Sequence, residues 1–404
     1  MSETSPRSPS HDADAPHAPL RVRLRTHPSP HPFLRRNLAD GSLRDLQPVD
    51  VVTLLAPGGD VLGDAFYNAR SDMAFRRITR GDERLDAAFL LRAADRAARL
   101  REALPEGARD ATALRLVHAE GDELSGLVVD RYGDVLSVEL HSAGWTLLLE
   151  PLLDALHARF GTKHHRVSLS ERVADFEGVR PLELVSPGCP ASVTVREHGM
   201  RFRVDFDGGH KTGFFCDQRI NRRLLAEQVE GADVLDLCTY TGGFAVSAKA
   251  LGAAASVTAV DLDETALATA KTNANLNQAR ISFVHADAFD WCRQIGAGER
   301  RFDAIVLDPP KFIASEGQRD EGRGRYHDLN RLALRLLRPG ALFVTCSCSG
   351  LLARDELVEL VRTAARKEGR SARLLGATGA GPDHPVHLEF PESEYLKALW
   401  LRVD

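Results

Sequence analysis

The sequence predicts an α/β protein whose C-terminal half is a Rossmann-like, mostly parallel sheet covered by helices on both faces. From Gly231 onward, apolar runs of strand length alternate with helical segments, the clearest of which are 264–277 and 326–338. The runs are ADVLDLC, SVTAVDLD, ISFVHAD, FDAIVLDPP and GALFVTCSCS. Strands that alternate with helices form parallel sheets. The ligands of such sheets lie beyond the carboxyl ends of the strands, so the residues at the strand ends are the informative ones.

Length and composition set broad limits. At 404 residues the chain is too long for one ordinary core, so two or three domains are expected. No apolar run approaches the roughly 20 residues that span a bilayer. Residues 1–19 are rich in Pro, Ser, Asp and His and lack the apolar segment of a secretory signal, so we expect a disordered tail on a cytoplasmic protein. The six cysteines are then expected to be reduced, and since none forms a CxxC pair, no metal site is predicted.

Residues 20–80 are predicted to form a small β domain. Short β-like runs alternate there with turn signals, such as the Pro-Gly-Gly of VDVVTLLAPGGDVLGDAFYN. This segment carries ten Arg and six Asp, a balance of +4, on a chain whose net charge is −5. A basic module on an acidic chain suits either an RNA-docking unit or a solubilising surface, and charge alone does not decide between them.

Residues 81–188 are predicted to form a central α+β domain. A helix with apolar spacing covers 86–102, and three short strands follow within ATALRLVHAEGDELSGLVVDRYGDVLSVELHS. A second helix lies near 145–160 and a further strand near 165–170.

The segment SPGCP, residues 186–190, is the expected linker to a domain that covers 189–404. That domain begins with SVTVREHGMRFRVDF, which is typical of a hairpin that turns at Glu197 to Gly199.

Acidic residues and a glycine loop follow the first three strands of the predicted sheet. The first strand contains Asp236 and leads through the loop Thr239, Tyr240, Thr241, Gly242 and Gly243 into a helix, whose N-terminus offers unpaired N–H groups. Asp261 ends the second strand, where a carboxylate can accept both ribose hydroxyls of a nucleoside, and Asp287 ends the third, where it can meet an adenine amine. The loop is not GxGxxG, which counts against a dinucleotide. This arrangement suits a nucleoside with a positive centre, so we predict S-adenosylmethionine as the cofactor.

The fourth and fifth strands end in residues that suit methyl transfer to a base. LDPPKF contains two prolines that fix the backbone, Asp308, which can hydrogen-bond a base ring nitrogen, and Lys311, which can steer a phosphate. TCSCSG places Cys346 and Cys348 one residue apart, on the same side if the strand runs that far. Cytosine C5 is a poor nucleophile, but a thiolate that adds to C6 turns the ring into an enamine whose C5 can take up a methyl group.

The chain resembles the RlmI-type methyltransferases, which modify C5 of a cytosine in large-subunit ribosomal RNA. The resemblance covers nearly everything after residue 20 and rests on motifs in the same order, namely HPF (31–33), GLVVDRYGD (126–134), HKTGFFCDQR (210–219), YTGGFAVSA (240–248), LDPPKF (307–312), SCSG (347–350), DHP (383–385) and YLK (395–397). It implies a PUA-like RNA-binding domain at 20–80, a class I methyltransferase domain at 189–404, and 23S ribosomal RNA as the partner. Arg35 and Arg36, beside HPF, are then expected to dock RNA.

The resemblance also implies roles for single residues. The catalytic thiol of the family lies in the SCSG motif, which implies Cys348 as the nucleophile and leaves Cys346 as a packing residue. Gln218 and Arg219 match the DQR segment near the cofactor. The family has no second cysteine beside the fourth-strand prolines, and neither has this chain, so the base that takes the C5 proton is not identified.

Two other functions remain open. A ribosomal methyltransferase that acts on a guanine ring nitrogen would use the same cofactor loop and DPP motif without needing a thiol. A non-catalytic RNA-binding assembly factor could retain the fold, although the intact Asp236, Asp261, Asp308 and Cys348 argue against it. Which cytosine is modified, and whether the protein forms a homodimer, are left open.

Overall fold

In the computed structural model, residues 20–104, 111–206 and 214–404 are described. The predicted tail, residues 1–19, and the start of the HKTGFFCDQR motif, residues 210–213, lie outside these ranges. No helix within them is long and apolar enough to cross a membrane. The same ranges contain no group of three or more His, Cys, Asp or Glu side chains arranged to hold a metal ion.

The first described residues form a five-stranded sheet. Its strands are β1 Leu20–Arg23, β2 Phe33–Leu34, β3 Val51–Leu55, β4 Val61–Tyr67 and β5 Phe75–Arg77. They pair in the order β1-β3-β4-β5-β2. The predicted strand, turn and strand are confirmed as β3 and β4, whose turn contains Gly59 at φ +98°. Leu24, Leu54 and Phe75 are fully buried in the core of this sheet.

A second five-stranded sheet carries helices on its apolar face. Its strands are β6 Ala113–His118, β7 Leu127–Tyr132, β8 Val135–Leu140, β9 His164–Leu169 and β10 Leu182–Val185, in the order β10-β9-β8-β7-β6. The helices are α1 Ala87–Glu102, α2 Leu149–Phe160 and α3 Glu171–Glu177. The Asp86 carboxylate accepts the Phe89 amide at 2.8 Å and so caps α1 at its predicted start. Helix α2 follows a 3₁₀ turn and begins later than predicted, at Leu149.

Strands β11 Ser192–Glu197 and β12 Met200–Asp205 form the predicted hairpin. His198 and Gly199 turn the chain with φ of +50° and +78°. Two consecutive positive φ angles are what a two-residue turn needs to match the twist of its strands.

A seven-stranded sheet follows. Its strands are β13 Asp233–Leu237, β14 Ser256–Asp261, β15 Ser282–His285, β16 Phe302–Leu307, β17 Leu337–Ser347, β18 Ala372–Thr378 and β19 Lys397–Val403, in the order β15-β14-β13-β16-β17-β19-β18. Strands β13 to β17 are parallel, and β19 is antiparallel to both of its neighbours. The carboxyl ends of the parallel strands therefore meet at one edge, and the chain order reverses beside β13, where open α/β sheets bind ligands. The predicted fold class is confirmed, whereas the domain boundaries at residues 80 and 188 stay predictions.

Helices cover both faces of this sheet. They are α4 Arg219–Ala226, α5 Gly243–Val246, α6 Glu264–Leu276, α7 Ala288–Gly296, α8 Arg319–Arg335 and α9 Arg354–Lys367, and a π-helical turn, Ser247–Leu251, continues α5. One hydrophobic cluster joins α7, α8 and α9 to the sheet around Ile305 and Phe343. Another joins α4 and α5 to the sheet around Val234 and Val344.

The helix predicted over 326–338 is wrong at both ends, because it covers 319–335. Its first two turns, RDEGRGR, are polar and lack the apolar spacing on which the prediction relied. Leu337 and Arg338 belong to β17. The helix predicted over 264–277 is confirmed as α6.

A buried ion pair joins the hairpin to α4, and its loss should destabilise the fold. Arg222 donates two hydrogen bonds of 2.6 Å to Glu197, and both side chains are almost fully buried. Glu197→Ala would leave the guanidinium buried without its counter-charge. We expect it to lower the free energy of unfolding by about 3–5 kcal/mol. Urea unfolding followed by tryptophan fluorescence measures this loss.

Glu227→Ala is the matched control. Glu227 pairs with Arg223 at 2.9 Å, but both side chains are about half exposed. We expect this variant to change the free energy of unfolding by less than about 1 kcal/mol. Small and equal losses in both variants would contradict a stabilising role for the buried pair.

Candidate active site

The loop between β13 and α5 has an unusual backbone. Cys238 and Tyr240 have φ of +61° and +51°, which non-glycine residues rarely adopt, and Gly242 has φ of +82°. A Cβ on Gly242 would lie 3.1 Å from the Cβ of Ala270, so α6 packs closely against the loop. Strain of this kind persists only where the surroundings enforce one conformation.

Hydrogen bonds from two directions hold this loop. The Thr239 amide donates to the Val260 carbonyl at 3.0 Å, which ties the loop to β14. The side chain of Asn273, in α6, donates to the Thr241 carbonyl at 2.9 Å. The predicted loop, Thr239 to Gly243, therefore lies at the carboxyl edge of the sheet with its amides fixed in position.

Asp236 lies beneath this loop and is only 1% exposed. Its Oδ2 accepts the Thr239 hydroxyl at 2.6 Å and the Ala245 amide at 3.0 Å. Its Oδ1 is buried and has no hydrogen-bond partner in the part of the chain that the structure describes. Burial raises the pKa of Asp236 to about 7, and the nearby charge of Asp308 adds to the effect.

Asp261 and Asp287 follow the neighbouring strands. Asp261 accepts the Tyr240 amide at 2.7 Å through one oxygen and the Asp263 amide at 2.9 Å through the other. Asp287 caps α7, because its Oδ1 accepts the Phe289 amide at 2.8 Å and the Asp290 amide at 3.2 Å. The structure thus brings Asp261 to the glycine loop and gives Asp287 a capping role.

Gln218 lies beside Asp308, at the end of β16. Its Nε2 donates to Oδ2 of Asp308 at 3.0 Å, and its Oε1 accepts the Asn221 side chain at 2.6 Å. Asn221 is itself fixed, since its Oδ1 accepts the Thr378 hydroxyl at 2.6 Å. The DQR segment therefore reaches the carboxyl edge of the sheet through its glutamine.

The arginine of the same segment contacts Asp383 instead. The Arg219 guanidinium lies 2.7 Å from Oδ1 of Asp383, and both side chains are fully buried. Asp383 also accepts from the second sheet and its helix. Its carbonyl accepts Arg101 at 2.7 Å, and its Oδ2 accepts the Arg115 amide at 3.0 Å. Arg219 thus joins the two sheets and is not brought to the strand-end acids, so its contact with a cofactor stays a prediction.

Cys348 stands just past β17, which ends at Ser347, and its side chain is partly exposed. The hydroxyl of Tyr326, in α8, forms hydrogen bonds of 2.9 Å with the hydroxyls of Ser347 and Ser349. Ser349 also accepts the Ile313 amide at 3.2 Å, which connects this turn to the segment after β16. One tyrosine therefore holds both neighbours of Cys348.

Cys346 lies inside β17 and is fully buried in a cluster with Val344, Ala398 and Trp400. Burial raises the pKa of its thiol well above the ordinary value, which disfavours a thiolate. The strand ends before Cys348, so the alternation of side chains along a strand does not relate the two cysteines.

Sequence reasoning missed two residues near Cys348. Tyr326 is the first residue of the predicted helix, but nothing in the sequence marked its hydroxyl as a partner of Ser347 and Ser349. Lys397 belongs to the YLK motif, which could have pointed to it. The Lys397 side chain is 3% exposed, and its Nζ donates to the Ser349 carbonyl at 2.6 Å.

The predicted RNA contacts lie in different surroundings. Lys311 and Arg35 are exposed. Arg36 is partly buried and donates to the Tyr67 hydroxyl at 3.0 Å and to the Ala69 and Ser71 carbonyls at 2.7 and 2.9 Å. Its guanidinium thus fixes a loop of the first sheet, and a contact between Arg36 and RNA stays a prediction.

Comparison with known proteins identifies the family. A family model described as S-adenosylmethionine-dependent methyltransferase matches residues 171–399. The ribosomal RNA large subunit methyltransferase I of Pseudoalteromonas atlantica is 35% identical over 379 residues, which cover 92% of this chain and 95% of that protein. The protein of the same name from Shewanella amazonensis is 37% identical, covering 88% of this chain and 90% of its own.

Solved structures show the same fold. A methyltransferase in complex with SAH aligns with a TM-score of 0.79 at 21% identity and covers 96% of this chain and 100% of its own. A methyltransferase from Streptococcus mutans aligns with a TM-score of 0.78 at 20% identity, covering 95% of this chain and 100% of its own. The curated relatives are similar over nearly their whole length. The chain therefore belongs to the ribosomal RNA large subunit methyltransferase I family and is an enzyme that uses S-adenosylmethionine.

Proposed function

We propose that this protein methylates C5 of a cytosine in large-subunit (23S) ribosomal RNA, with Cys348 as the nucleophile. The name shared by the relatives supports this substrate. The observation that carries the choice of C5 is the partly exposed thiol of Cys348 at the end of β17, which pairs with the strand that leads to Asp308. A methyltransferase for a guanine ring nitrogen needs no thiol at this place.

The proposed chemistry begins with the Cys348 thiolate. Its sulfur adds to C6 of the cytosine, so that the S–C6 bond forms, the C5–C6 double bond opens and C5 becomes nucleophilic. S-adenosylmethionine, when bound, supplies the methyl group that C5 takes up. Loss of the C5 proton to a base restores the double bond and expels the Cys348 thiolate.

Asp308 and Lys311 are proposed to position the base. The hydrogen bond from Gln218 holds the Asp308 carboxyl group, which is expected to bind the ring-nitrogen edge of the cytosine. Lys311 is exposed on the same segment and is expected to meet a phosphate of the RNA.

The residues around the glycine loop fit a positively charged nucleoside. The buried Oδ1 of Asp236, without a partner in the described residues, offers an acceptor for a cation. Each oxygen of Asp261 accepts one backbone amide and has a further lone pair for a ribose hydroxyl. Asp287 caps α7 through Oδ1, and its Oδ2 is proposed to accept the adenine amine. The loop from Thr239 to Gly243, with Gln218, is proposed to complete this site.

The first test of this site uses pH. The pKa of Asp236 is about 7 in the free protein, and a bound cation favours the ionised carboxylate. Binding of S-adenosylmethionine should therefore release a proton and strengthen up to about tenfold as the pH rises from about 6 to about 8. Calorimetric titration measures the affinity.

Asp236→Asn is the control, because it keeps the shape of the side chain and cannot ionise. It should bind the cofactor more weakly and lose this pH dependence, apart from what the cofactor's own amino group contributes. The same pH dependence in wild type and Asp236→Asn would remove Asp236 from the cofactor site.

The second test traps the covalent adduct. RNA whose target cytosine is replaced by 5-fluorocytosine cannot lose its C5 substituent as a proton, so the enzyme should stay bound through sulfur. Wild type and Cys346→Ala should form this adduct, whereas Cys348→Ala should form none and transfer no methyl group. Denaturing gel electrophoresis of labelled RNA detects the adduct.

Cys346→Ala is the matched variant in this test, since it removes a thiol two residues away. It should cost stability, as a small truncation in a core does. An adduct that needs Cys346 and survives Cys348→Ala would reverse the assignment. Full methylation without an adduct in any variant would indicate a guanine ring nitrogen as the target.

The third test concerns RNA docking. Arg35 is exposed beside the HPF segment, so Arg35→Ala should weaken RNA binding without changing the affinity for the cofactor. Because one fewer phosphate is neutralised, the slope of log affinity against log salt should fall in magnitude by about 1. Fluorescence anisotropy with a large-subunit RNA fragment at several salt concentrations measures the slope.

Arg172→Ala is the control for this variant, since Arg172 is also exposed and lies on α3, outside the first sheet. It should leave the slope unchanged. Equal slopes in wild type and Arg35→Ala would indicate that the arginines of the first sheet only keep the protein soluble.

The proposal places the enzyme in the cytoplasm with its RNA. It does not include the homodimer that the sequence left open.

A further inference from the structure

Lys397 is a buried lysine at the turn that carries Cys348. It is the first residue of β19 and pairs directly with Ser347, the residue before Cys348. Its Nζ donates to the carbonyl of Ser349, the residue after Cys348, at 2.6 Å and to the Tyr395 carbonyl at 2.9 Å. The amine thus contacts the chain on one side of Cys348 while its backbone pairs with the chain on the other side.

The surroundings of this lysine are unusual for an ammonium group. Its side chain is 3% exposed, and both hydrogen bonds go to carbonyls, with no carboxylate partner in the described residues. Burial lowers the pKa of Lys397 to about 8. Among the charged groups nearby, Cys348 has the largest effect, and it raises this pKa. The other charged groups that act on it are Glu394, Arg354 and Lys311.

These other groups do not replace Cys348 as the partner. Glu394 is itself paired with Arg354, and both side chains are about 43% exposed. Lys311 is exposed and carries the same charge as Lys397, so it opposes a second cation there. On the far side of Cys348, the buried hydroxyl of Tyr326 is neutral, because burial raises its pKa above the ordinary value.

The donor geometry of an ammonium group leads to the same pairing. An ammonium has three N–H bonds, and two are taken by the Ser349 and Tyr395 carbonyls. The third is available for the sulfur of Cys348, whose two neighbours both contact Lys397. A cation beside a thiol favours the thiolate, which is the reactive form.

We propose that Lys397 is a positioning residue that keeps Cys348 ionised by holding an ammonium group against its sulfur. This rests on the proposed function, in which Cys348 is the nucleophile. The proton passes from the Cys348 thiol to the Lys397 amine, so that an S–H bond breaks, an N–H bond forms and a thiolate–ammonium pair results. The pair exists before RNA binds and is restored when the methylated base leaves.

The test measures the rate at which iodoacetamide alkylates Cys348, by mass spectrometry of its peptide, as a function of pH in the full chain without RNA. In Lys397→Met the inflection of the rate should move up by about one pH unit or more, so that alkylation near neutral pH is about tenfold slower. Lys397→Arg keeps a permanent charge and should retain most of the wild-type rate. Cys348→Ala should lack the alkylated peptide, which shows that the signal comes from Cys348.

Lys249→Met is the matched control. Lys249 also donates from Nζ to two backbone carbonyls, those of Ala254 at 2.6 Å and Ala255 at 2.9 Å. These carbonyls precede β14, at the opposite edge of the sheet from Cys348. Lys249 is only partly buried, but this variant loses the same kind of amine–carbonyl contacts and should alkylate Cys348 as the wild type does.

The pH dependence of the methylation rate is a second measurement, and a purely structural role of Lys397 would not change it. Lys397→Met should methylate slowly at neutral pH and recover toward the wild-type rate near pH 9, where an unassisted thiol ionises. Unchanged cofactor affinity shows that the variant is folded, and Lys397→Gln is measured in its place if it is not. The proposal would be overturned if Lys397→Met showed the same pH dependence of alkylation and methylation as the wild type. The proposed function would still hold in that case, provided that Cys348→Ala is inactive. Methylation by Cys348→Ala would instead overturn the proposed function.

Discussion

Parallel pairing of β13, β14, β16 and β17 is the constraint on which the candidate site depends. Since these strands run in the same direction, the residues at their carboxyl ends share one edge of the sheet. Asp236 and Cys348 meet there although they are 112 positions apart in the sequence. Each strand end is then fixed by a different partner. Tyr326 holds the turn at Cys348, Gln218 holds Asp308, and α6 holds the glycine loop. The sheet provides proximity, and the partners provide orientation.

Two buried ionisable groups at this edge have pKa values that differ from the ordinary ones, and each shift suits a proposed partner of opposite charge. Burial raises the pKa of Asp236 to about 7 and lowers that of Lys397 to about 8. In both cases burial disfavours the charged form, so a partner of opposite charge gains more than it would at the surface. Asp236 is proposed to receive that partner from solution, whereas Lys397 is proposed to have its partner, Cys348, within the chain.

The positions of the strand-end residues were predictable because an apolar strand that leads directly into a turn leaves a short-range pattern in the sequence. The hairpin at His198 and Gly199 was predictable for the same reason. The buried contacts of Arg36 and Arg219 could not be predicted in this way. A sequence shows that an arginine is present, but whether its guanidinium meets solvent or a buried acid such as Asp383 depends on residues far along the chain. Tyr326 was missed because its hydroxyl bonds Ser347 and Ser349, which lie 21 and 23 positions further along the chain, and no short-range pattern records such contacts.

The junction at Asp383 has a consequence for motion between the second sheet and the large sheet. Arg101, Arg115 and Arg219 reach this one residue from α1, β6 and α4. Any sliding of the second sheet against the large sheet would break these bonds together. It would also leave the charges of Arg219 and Asp383 buried without partners, which is strongly unfavourable. The second sheet and the large sheet are therefore expected to move as one body.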